Sequence, residues 1–203
     1  MGVMKTDEIN TGKKVIAIAS STGGPKALQN LLPRFPANLN APVLIVQHMP
    51  AGFTEALANR LNTLSALQIK EAAEGDVLEQ GHVYLARGGL HMNIVRQAGK
   101  HVIHYTQEPT REGVRPCANY MYESLAGSNF DEIVCAVLTG MGADGTVGIQ
   151  NLKQKKKVTV IAQNEETCTV YGMPRSVVLA GLAEKVMPLE QIANEITKNV
   201  GVF

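Results

Sequence analysis

The chain alternates apolar runs of strand length with amphipathic stretches of helical length. Each apolar run is long enough for a strand that is covered on both faces, as the strands of a parallel sheet are. The runs cover residues 15–19, 42–48, 131–138 and 158–162. The stretches that follow them place apolar side chains at the spacing of an amphipathic helix. This alternation predicts an α/β fold, namely a doubly wound, mostly parallel sheet with helices on both faces.

The stretch from residue 67 to residue 106 has a different pattern. Its apolar and polar residues alternate over short segments, and glycines separate one segment from the next. The segments cover residues 68–72, 82–86, 91–95 and 102–105. Short alternating segments with glycine turns are typical of hairpins. We therefore expect four short strands that form an antiparallel ribbon at one side of the sheet.

Composition and charge are ordinary for a soluble globular protein. The 203 residues carry a formal net charge of +1, so we expect a single domain with a sizeable core and no nucleic-acid partner. The three cysteines lack paired spacing, which indicates reduced thiols in a cytoplasmic protein and no metal site. No apolar run approaches the length that crosses a bilayer. Residues 1–13 are predicted to be a polar tail or the remnant of a linker, and residues 14–203 the folded domain.

Candidate chemistry begins at the end of the first apolar run. Residues 15–25 predict a strand, a tight Thr-Gly-Gly turn and the start of a helix with Pro25 near its first position. Such a junction presents a side chain at the carboxyl edge of the sheet, and its free N–H groups face an anion. Ser21 therefore lies where a nucleophile would lie. The alternative is that Ser20 or Ser21 only caps the helix.

Two further apolar runs also end in a reactive residue, His48 after the second and Asp144 after the third. Ligands of open α/β sheets bind outside the carboxyl ends of the strands, so both residues are expected to meet Ser21 there. A serine hydroxyl is a weak nucleophile until an imidazole takes its proton, and the imidazole needs a carboxylate to orient it. Each residue also has an alternative interpretation: His48 as an ordinary histidine at a strand end, and Asp144 as the cap of the helix that follows it. The three residues together predict a serine hydrolase.

The same strand ends carry the motifs of one family. Residues 19–25, 46–53 and 138–145 resemble the three signature segments of the catalytic domain of CheB-type chemoreceptor glutamate methylesterases. Other segments resemble that family in the same order, and the resemblance extends from about residue 14 to residue 200. These other segments are residues 84–86 with 91–92, 115–116, 161–165 and 171–175.

The resemblance implies a mostly parallel sheet with an antiparallel hairpin region, and it implies a reaction. Ser21 is then the nucleophile, His48 the general base and acid, and Asp144 the orienting carboxylate. The implied substrates are glutamate γ-methyl esters on the cytoplasmic helical bundle of methyl-accepting chemotaxis receptors, which are hydrolysed with release of methanol during adaptation. Many members also deamidate receptor glutamines. No cofactor is implied, and the enzyme is near the membrane only through the receptor.

Other residues are expected to line the cleft. Backbone N–H groups of the Gly140, Met141 and Gly142 loop, together with Thr22, are predicted to form an oxyanion hole. Arg115 is predicted to attract the acidic receptor face near the ester.

Arg111 is a second candidate for that attraction. Both arginines lie in the charged loop that precedes residue 116. The alternative for both is an ordinary solvated loop arginine. The sequence leaves the two explanations open.

The chain departs from the family pattern at several positions. The family usually has Gly-Ala-Ser at the nucleophile, whereas residues 19–21 are Ala-Ser-Ser, which makes Ser20 a rival nucleophile. Where the family commonly has serine and, two residues later, aspartate, this chain has Cys117 and Asn119. Residues 87–89 are Arg-Gly-Gly in place of Pro-Gly-Asp. We expect these positions to lie in cleft-lining loops and to affect the choice of receptor site rather than the reaction.

In most family members a phosphorylatable receiver domain precedes the catalytic domain and blocks it. We expect no receiver domain within these 203 residues, and both an excised domain and a stand-alone enzyme remain open. Three other functions also remain open. They are a serine hydrolase of small esters or amides, a phosphate-binding module built on residues 22–24, and a receptor-docking protein with an inactive site.

Overall fold

A computed structural model describes residues 12–202 of the chain. Its nine strands, numbered in chain order, are β1 (Lys14–Ser20), β2 (Val43–Gln47), β3 (Gln68–Glu71), β4 (His82–Leu85), β5 (His91–Gln97), β6 (Lys100–Thr106), β7 (Glu132–Val137), β8 (Lys157–Gln163) and β9 (Lys185–Met187). Seven of them form one sheet in the order β3-β4-β2-β1-β7-β8-β9, and every neighbouring pair in it is parallel. The remaining two, β5 and β6, form an antiparallel hairpin.

Helices cover both faces of the sheet. They are α1 (Gly24–Leu31), α2 (Thr54–Leu64), α3 (Ala118–Ser124), α4 (Thr146–Lys153), α5 (Met173–Leu179) and α6 (Leu189–Asn199). Buried side chains of α1, α2 and α6 belong to one hydrophobic cluster, and those of α3, α4, α5 and the hairpin to a second cluster. The predicted doubly wound α/β fold with an antiparallel hairpin region is therefore confirmed.

The sequence of β1 explains its central place. All of its residues are buried, and successive side chains of a strand point to opposite faces. Ile16 and Ile18 pack in the cluster of α1, α2 and α6, whereas Val15 and Ala17 pack in the cluster on the other face. An uninterrupted apolar run is what a strand with helices on both faces requires.

The prediction of a four-stranded antiparallel ribbon is wrong for its first half. Strands β3 and β4 pair in parallel and extend the main sheet beyond β2, so only β5 and β6 are antiparallel. Strand β3 lies at the sheet edge and alternates buried and exposed residues, a pattern that an antiparallel strand shares. The ten-residue segment 72–81 joins β3 to β4, which is a crossover and not the tight turn of a hairpin.

The ends of the chain are only partly described. Residues 1–11 of the predicted polar tail, and Phe203, lie outside the described residues. Lys13, at the end of that predicted tail, is bound to the start of β7, because its carbonyl accepts a hydrogen bond from the Asp131 amide at 2.7 Å. Within residues 12–202, no helix combines the length and the apolar character that a membrane crossing requires.

Candidate active site

The candidate site lies at the carboxyl ends of three adjacent strands, β2, β1 and β7. Helix α1 follows β1 on one face of the sheet, and α4 follows β7 on the other face. The chain therefore leaves β1 and β7 in opposite directions, which opens a crevice where ligands of such sheets bind. Ser21 follows β1, His48 follows β2, and Asp144 lies in the loop that follows β7.

His48 and Asp144 form a direct pair across this crevice. The imidazole Nε2 lies 2.6 Å from the carboxylate Oδ2, and the two side chains are 9% and 1% exposed. In this arrangement Nε2–H donates to the carboxylate, which leaves Nδ1 as the nitrogen that can accept a proton. The structure thus joins two of the three predicted catalytic residues.

The Asp144 carboxylate accepts three further hydrogen bonds. The Cys117 thiol donates to Oδ1 at 3.0 Å, the Ala118 amide to Oδ2 at 2.6 Å, and the Asn119 amide to Oδ1 at 2.9 Å. Burial acts to raise the pKa of Asp144, but the bonds from His48, Cys117 and Ala118 outweigh it and lower that pKa. The carboxylate is therefore ionised at neutral pH, as a group that orients and stabilises an imidazolium must be.

Asp144 does not cap the helix that follows it, so that alternative is wrong. Its contacts with the Ala118 and Asn119 amides instead satisfy free N–H groups at the start of α3. The start of α4 is satisfied by Asn119, whose Oδ1 accepts from the amides of Gly145 at 3.0 Å and Gly148 at 2.7 Å. The loop that carries Asp144 therefore both accepts hydrogen bonds from α3 and, at Gly145, donates one to it.

The backbone of Ser21 is held firmly at the centre of the site. Its amide donates to the Thr139 carbonyl at 3.0 Å, and its carbonyl accepts from the Gly24 amide at 2.8 Å. A Cβ at Gly140 would lie 2.8 Å from the Ser21 Cβ, so the β7 loop approaches the serine closely. Within the described chain, the Ser21 hydroxyl makes no hydrogen bond to His48 or to any other group. Hydrogen bonds of catalytic groups commonly form only when substrate binds.

Ser20 has a different environment. Its side chain is fully buried, and its hydroxyl donates to Gln47 Oε1 at 2.6 Å, so it is not available as a rival nucleophile. Helix α1 begins after Gly23, which adopts a left-handed φ of 82°, and no side chain caps it. The alternative that Ser20 or Ser21 serves as a helix cap is therefore wrong.

The predicted oxyanion donors divide into two groups. The Gly140 amide already donates to the Val170 carbonyl at 3.0 Å, so Gly140 is wrong as an oxyanion donor. The amides of Met141, Gly142 and Thr22 donate to no acceptor among residues 12–202. Met141 is 73% exposed, which leaves its loop accessible to a substrate. The role of these three amides stays a prediction.

The two candidate arginines also differ. Arg111 forms two hydrogen bonds with the Glu123 carboxylate, at 2.6 and 3.0 Å, and its guanidinium lies over the Tyr120 ring. This engagement makes Arg111 unsuitable for attracting a partner. Arg115 is half-buried and donates through Nη2 to the Glu108 carbonyl at 2.7 Å, while its Nε has no partner in the described chain. Arg115 remains the candidate.

The second departure from the family pattern, at residues 117 and 119, lies elsewhere than expected. Cys117 and Asn119 are buried around Asp144 and do not line the cleft. Burial, followed by the nearby Asp144 charge, raises the pKa of the Cys117 thiol to about 12, so the thiol stays protonated and remains a donor. Arg87 of the third departure is exposed and pairs with Glu71 at 2.8 Å.

Sequence reasoning missed the buried amide side chains that support this site. Gln47 and Gln163 are the last residues of β2 and β8, and both are buried. Gln163 Oε1 accepts from the Thr139 amide at 2.8 Å, next to the carbonyl that holds Ser21. A polar residue that ends an otherwise apolar strand was the available signal, because a buried amide must find partners at the sheet edge.

Comparison with known proteins identifies the family. The CheB methylesterase family matches residues 16–196, so the chain belongs to that family. It is 42% identical over 187 residues to a protein of Geobacillus kaustophilus, and 45% identical over 192 residues to one of Methanosarcina mazei. These relatives are named protein-glutamate methylesterase/protein-glutamine glutaminase, with a final 2 in the second name, and the matches cover 92% and 93% of this chain.

A solved structure agrees with the fold. The Thermotoga maritima CheB methylesterase catalytic domain superposes with a TM-score of 0.89 at 39% identity, over 93% of this chain and 99% of that one. The chain spans about half the length of the curated relatives that it matches, namely 54% for the Geobacillus protein and 52% for the Methanosarcina protein.

Proposed function

We propose that the chain is a serine hydrolase that removes methyl esters from glutamate side chains of chemotaxis receptors in the cytoplasm. The observation that carries the proposal is the buried His48–Asp144 pair at 2.6 Å, beside Ser21 at the crevice of the sheet. Membership of the CheB methylesterase family supports the substrate class. The names of the relatives support both ester hydrolysis and deamidation of glutamine.

The first half of the reaction transfers the glutamyl group to Ser21. His48 Nδ1 accepts the hydroxyl proton as the Ser21 oxygen attacks the ester carbonyl carbon, while Asp144 stabilises the imidazolium. The tetrahedral intermediate then collapses, and the imidazolium gives its proton to the departing methoxide oxygen. Methanol leaves, and the glutamyl group remains as an ester of Ser21.

The second half releases the product. A water molecule gives a proton to His48 Nδ1 and attacks the acyl carbon, after which the same proton returns to the Ser21 oxygen. The product is a glutamate carboxylate. A glutamine substrate follows the same course with ammonia as the leaving group, so one site serves both reactions.

Two binding elements complete the proposal. The amides of Met141, Gly142 and Thr22 are the candidates for donation to the oxyanion of the tetrahedral intermediate, because they have no acceptor in the described chain. Arg115 is the candidate for attraction of the acidic receptor surface. We therefore expect Arg115→Ala to raise the KM for receptor at low ionic strength. The difference in KM between this variant and the wild type should shrink in high salt, because salt screens the attraction. A KM that responds to neither change would contradict this role.

The test of the function is methanol release from methylated receptor membranes. We expect Ser21→Ala to lower turnover by about 10⁴-fold or more, since the hydroxyl forms the covalent intermediate. A fluorophosphonate should label the wild type and Ser20→Ala, but not Ser21→Ala. Near-normal methanol release by Ser21→Ala would overturn the assignment. Turnover of a small ester without release from receptor would instead show a different substrate class.

A further inference from the structure

Gln47 is buried between the proposed nucleophile and the proposed base. It is the last residue of β2, it is 2% exposed, and it directly precedes His48. Its Nε2 donates to the Ser21 carbonyl at 2.9 Å and to the His48 carbonyl at 3.2 Å. One planar NH2 group therefore holds the main chain of both residues.

The neighbours of Gln47 determine the orientation of its amide. Ser20 Oγ donates to Oε1 at 2.6 Å, and the other end of the amide faces two carbonyl oxygens, which only accept. The nitrogen end must therefore point to the carbonyls. A Cβ at residue 24 would lie 1.8 Å from Gln47 Oε1, so the amide fits only because residue 24 is glycine.

These bonds act on the geometry of the reaction. The Ser21 carbonyl accepts from both the Gly24 amide and Gln47, and the His48 amide donates to the Ser20 carbonyl at 3.0 Å. The ends of β1 and β2 are thereby tied together at the positions from which the serine and imidazole side chains extend. Gln47 does not need to touch the substrate to affect the distance between the two reacting groups.

We propose that Gln47 is a positioning residue of the hydrolytic site, which holds the backbones of Ser21 and His48 in the register that proton transfer requires. The proposal rests on the proposed function, because it presumes that Ser21 and His48 react together. A misplacement of catalytic groups by about 1 Å lowers rates by about a hundredfold. The hydrogen bonds of one amide are thus enough to control turnover.

The test measures methanol release from receptor membranes, with the active sites counted by fluorophosphonate titration. Gln47→Leu removes every bond of the amide, and we expect it to lower kcat per titrated site by about tenfold to a hundredfold with little change in KM. Gln47→Glu keeps an acceptor for Ser20 but cannot donate to the carbonyls, so we expect a loss of the same size. Ser20→Ala removes only the bond to Oε1, and we expect a smaller loss.

Two comparisons separate positioning from a merely structural role. In the Gln47→Leu background, Ser20→Ala should cause no further loss of kcat, because the two side chains act through one amide. Leu61→Val, in the buried part of α2, should lower the thermal midpoint yet leave kcat per titrated site unchanged. If Gln47→Leu does not fold, Gln47→Met, which keeps an unbranched side chain, replaces it.

Each result has a defined meaning. Gln47 variants with kcat per titrated site near that of the wild type overturn the proposal, and so does a loss that appears only in KM. If Ser21→Ala is inactive in the same assay, the proposed function survives such a failure. If Ser21→Ala is active, the proposed function fails, and the positioning role fails with it.

Discussion

Asp144 and Asn119 cap each other's helices. The Asp144 carboxylate accepts from the Ala118 and Asn119 amides at the start of α3, and Asn119 Oδ1 accepts from the Gly145 and Gly148 amides at the start of α4. Both side chains are 1% exposed. The proposed orienting carboxylate is therefore also part of a helix junction, and its position depends on Asn119, which makes no hydrogen bond to the imidazole within the described residues.

Asn119→Ala should destabilise the fold. The change leaves the buried amides of Gly145 and Gly148 without an acceptor, and each unsatisfied group costs about 1–3 kcal/mol. Urea unfolding measures the loss. Asn59, exposed on α2, offers a control, and we expect Asn59→Ala to change the free energy of unfolding by less than about 0.5 kcal/mol. Equal stability of the two variants would refute the reciprocal caps.

Substitutions of Asp144 should separate its two tasks. Asp144→Asn keeps one acceptor oxygen, which can serve one of the two α3 amides, but it removes the charge beside His48, so we expect turnover to fall by about 10⁴-fold with a modest loss of stability. Asp144→Ala should lower turnover as much as Asp144→Asn does. It should also lower the free energy of unfolding by about 1–3 kcal/mol more, because the Ala118 and Asn119 amides both lose their acceptor. Methanol release and urea unfolding on the same preparations would show whether the two losses separate.

Gly140→Ala should impair the site through contact alone. An added Cβ would lie 2.4 Å from Met173 Sδ and 2.8 Å from the Ser21 Cβ, so either the loop or the serine must move. We expect kcat to fall by about tenfold or more. Gly127→Ala is the matched control, because its Cβ would meet nothing within 4 Å, and it should keep full turnover. Normal kinetics for Gly140→Ala would mean that the loop yields without moving Ser21.

His91 should make the fold sensitive to mild acid. It is fully buried and binds the Glu108 carbonyl, and burial, together with the Arg115 charge, lowers its pKa from 6.5. The unfolded chain therefore binds a proton below pH 6.5 that the folded chain does not bind, so stability is complete above that pH and falls below it.

The measurement is the free energy of unfolding at pH 7.5 and at pH 5.5, both estimated in urea. We expect His91→Gln, which can still donate to Glu108, to lose less stability between these two pH values than the wild type does. One histidine contributes at most about 1.4 kcal/mol per pH unit. Burial also lowers the pKa of His101, so His101 should leave the variant with part of the wild-type dependence of stability on pH. An unchanged slope in His91→Gln would contradict this account.

The main strands, their helices and the strand ends that carry Ser21, His48 and Asp144 could all be predicted from the amino-acid pattern. Local patterns suffice for this prediction. An uninterrupted apolar run indicates a strand that is buried on both faces, and apolar residues at helical spacing indicate an amphipathic helix. The apolar run of residues 131–138, for example, contains strand β7 (Glu132–Val137). The family resemblance came from motifs at the same strand ends.

Which groups are hydrogen-bond partners follows, by contrast, from the packed fold. It placed β3 and β4 in the parallel sheet, took the Gly140 amide out of the predicted oxyanion hole, and buried Ser20 against Gln47. It also brought Asn119 to α4. Hydrogen bonds of this kind join residues far apart in the chain, so they depend on how the elements pack and leave no periodic signal in the sequence.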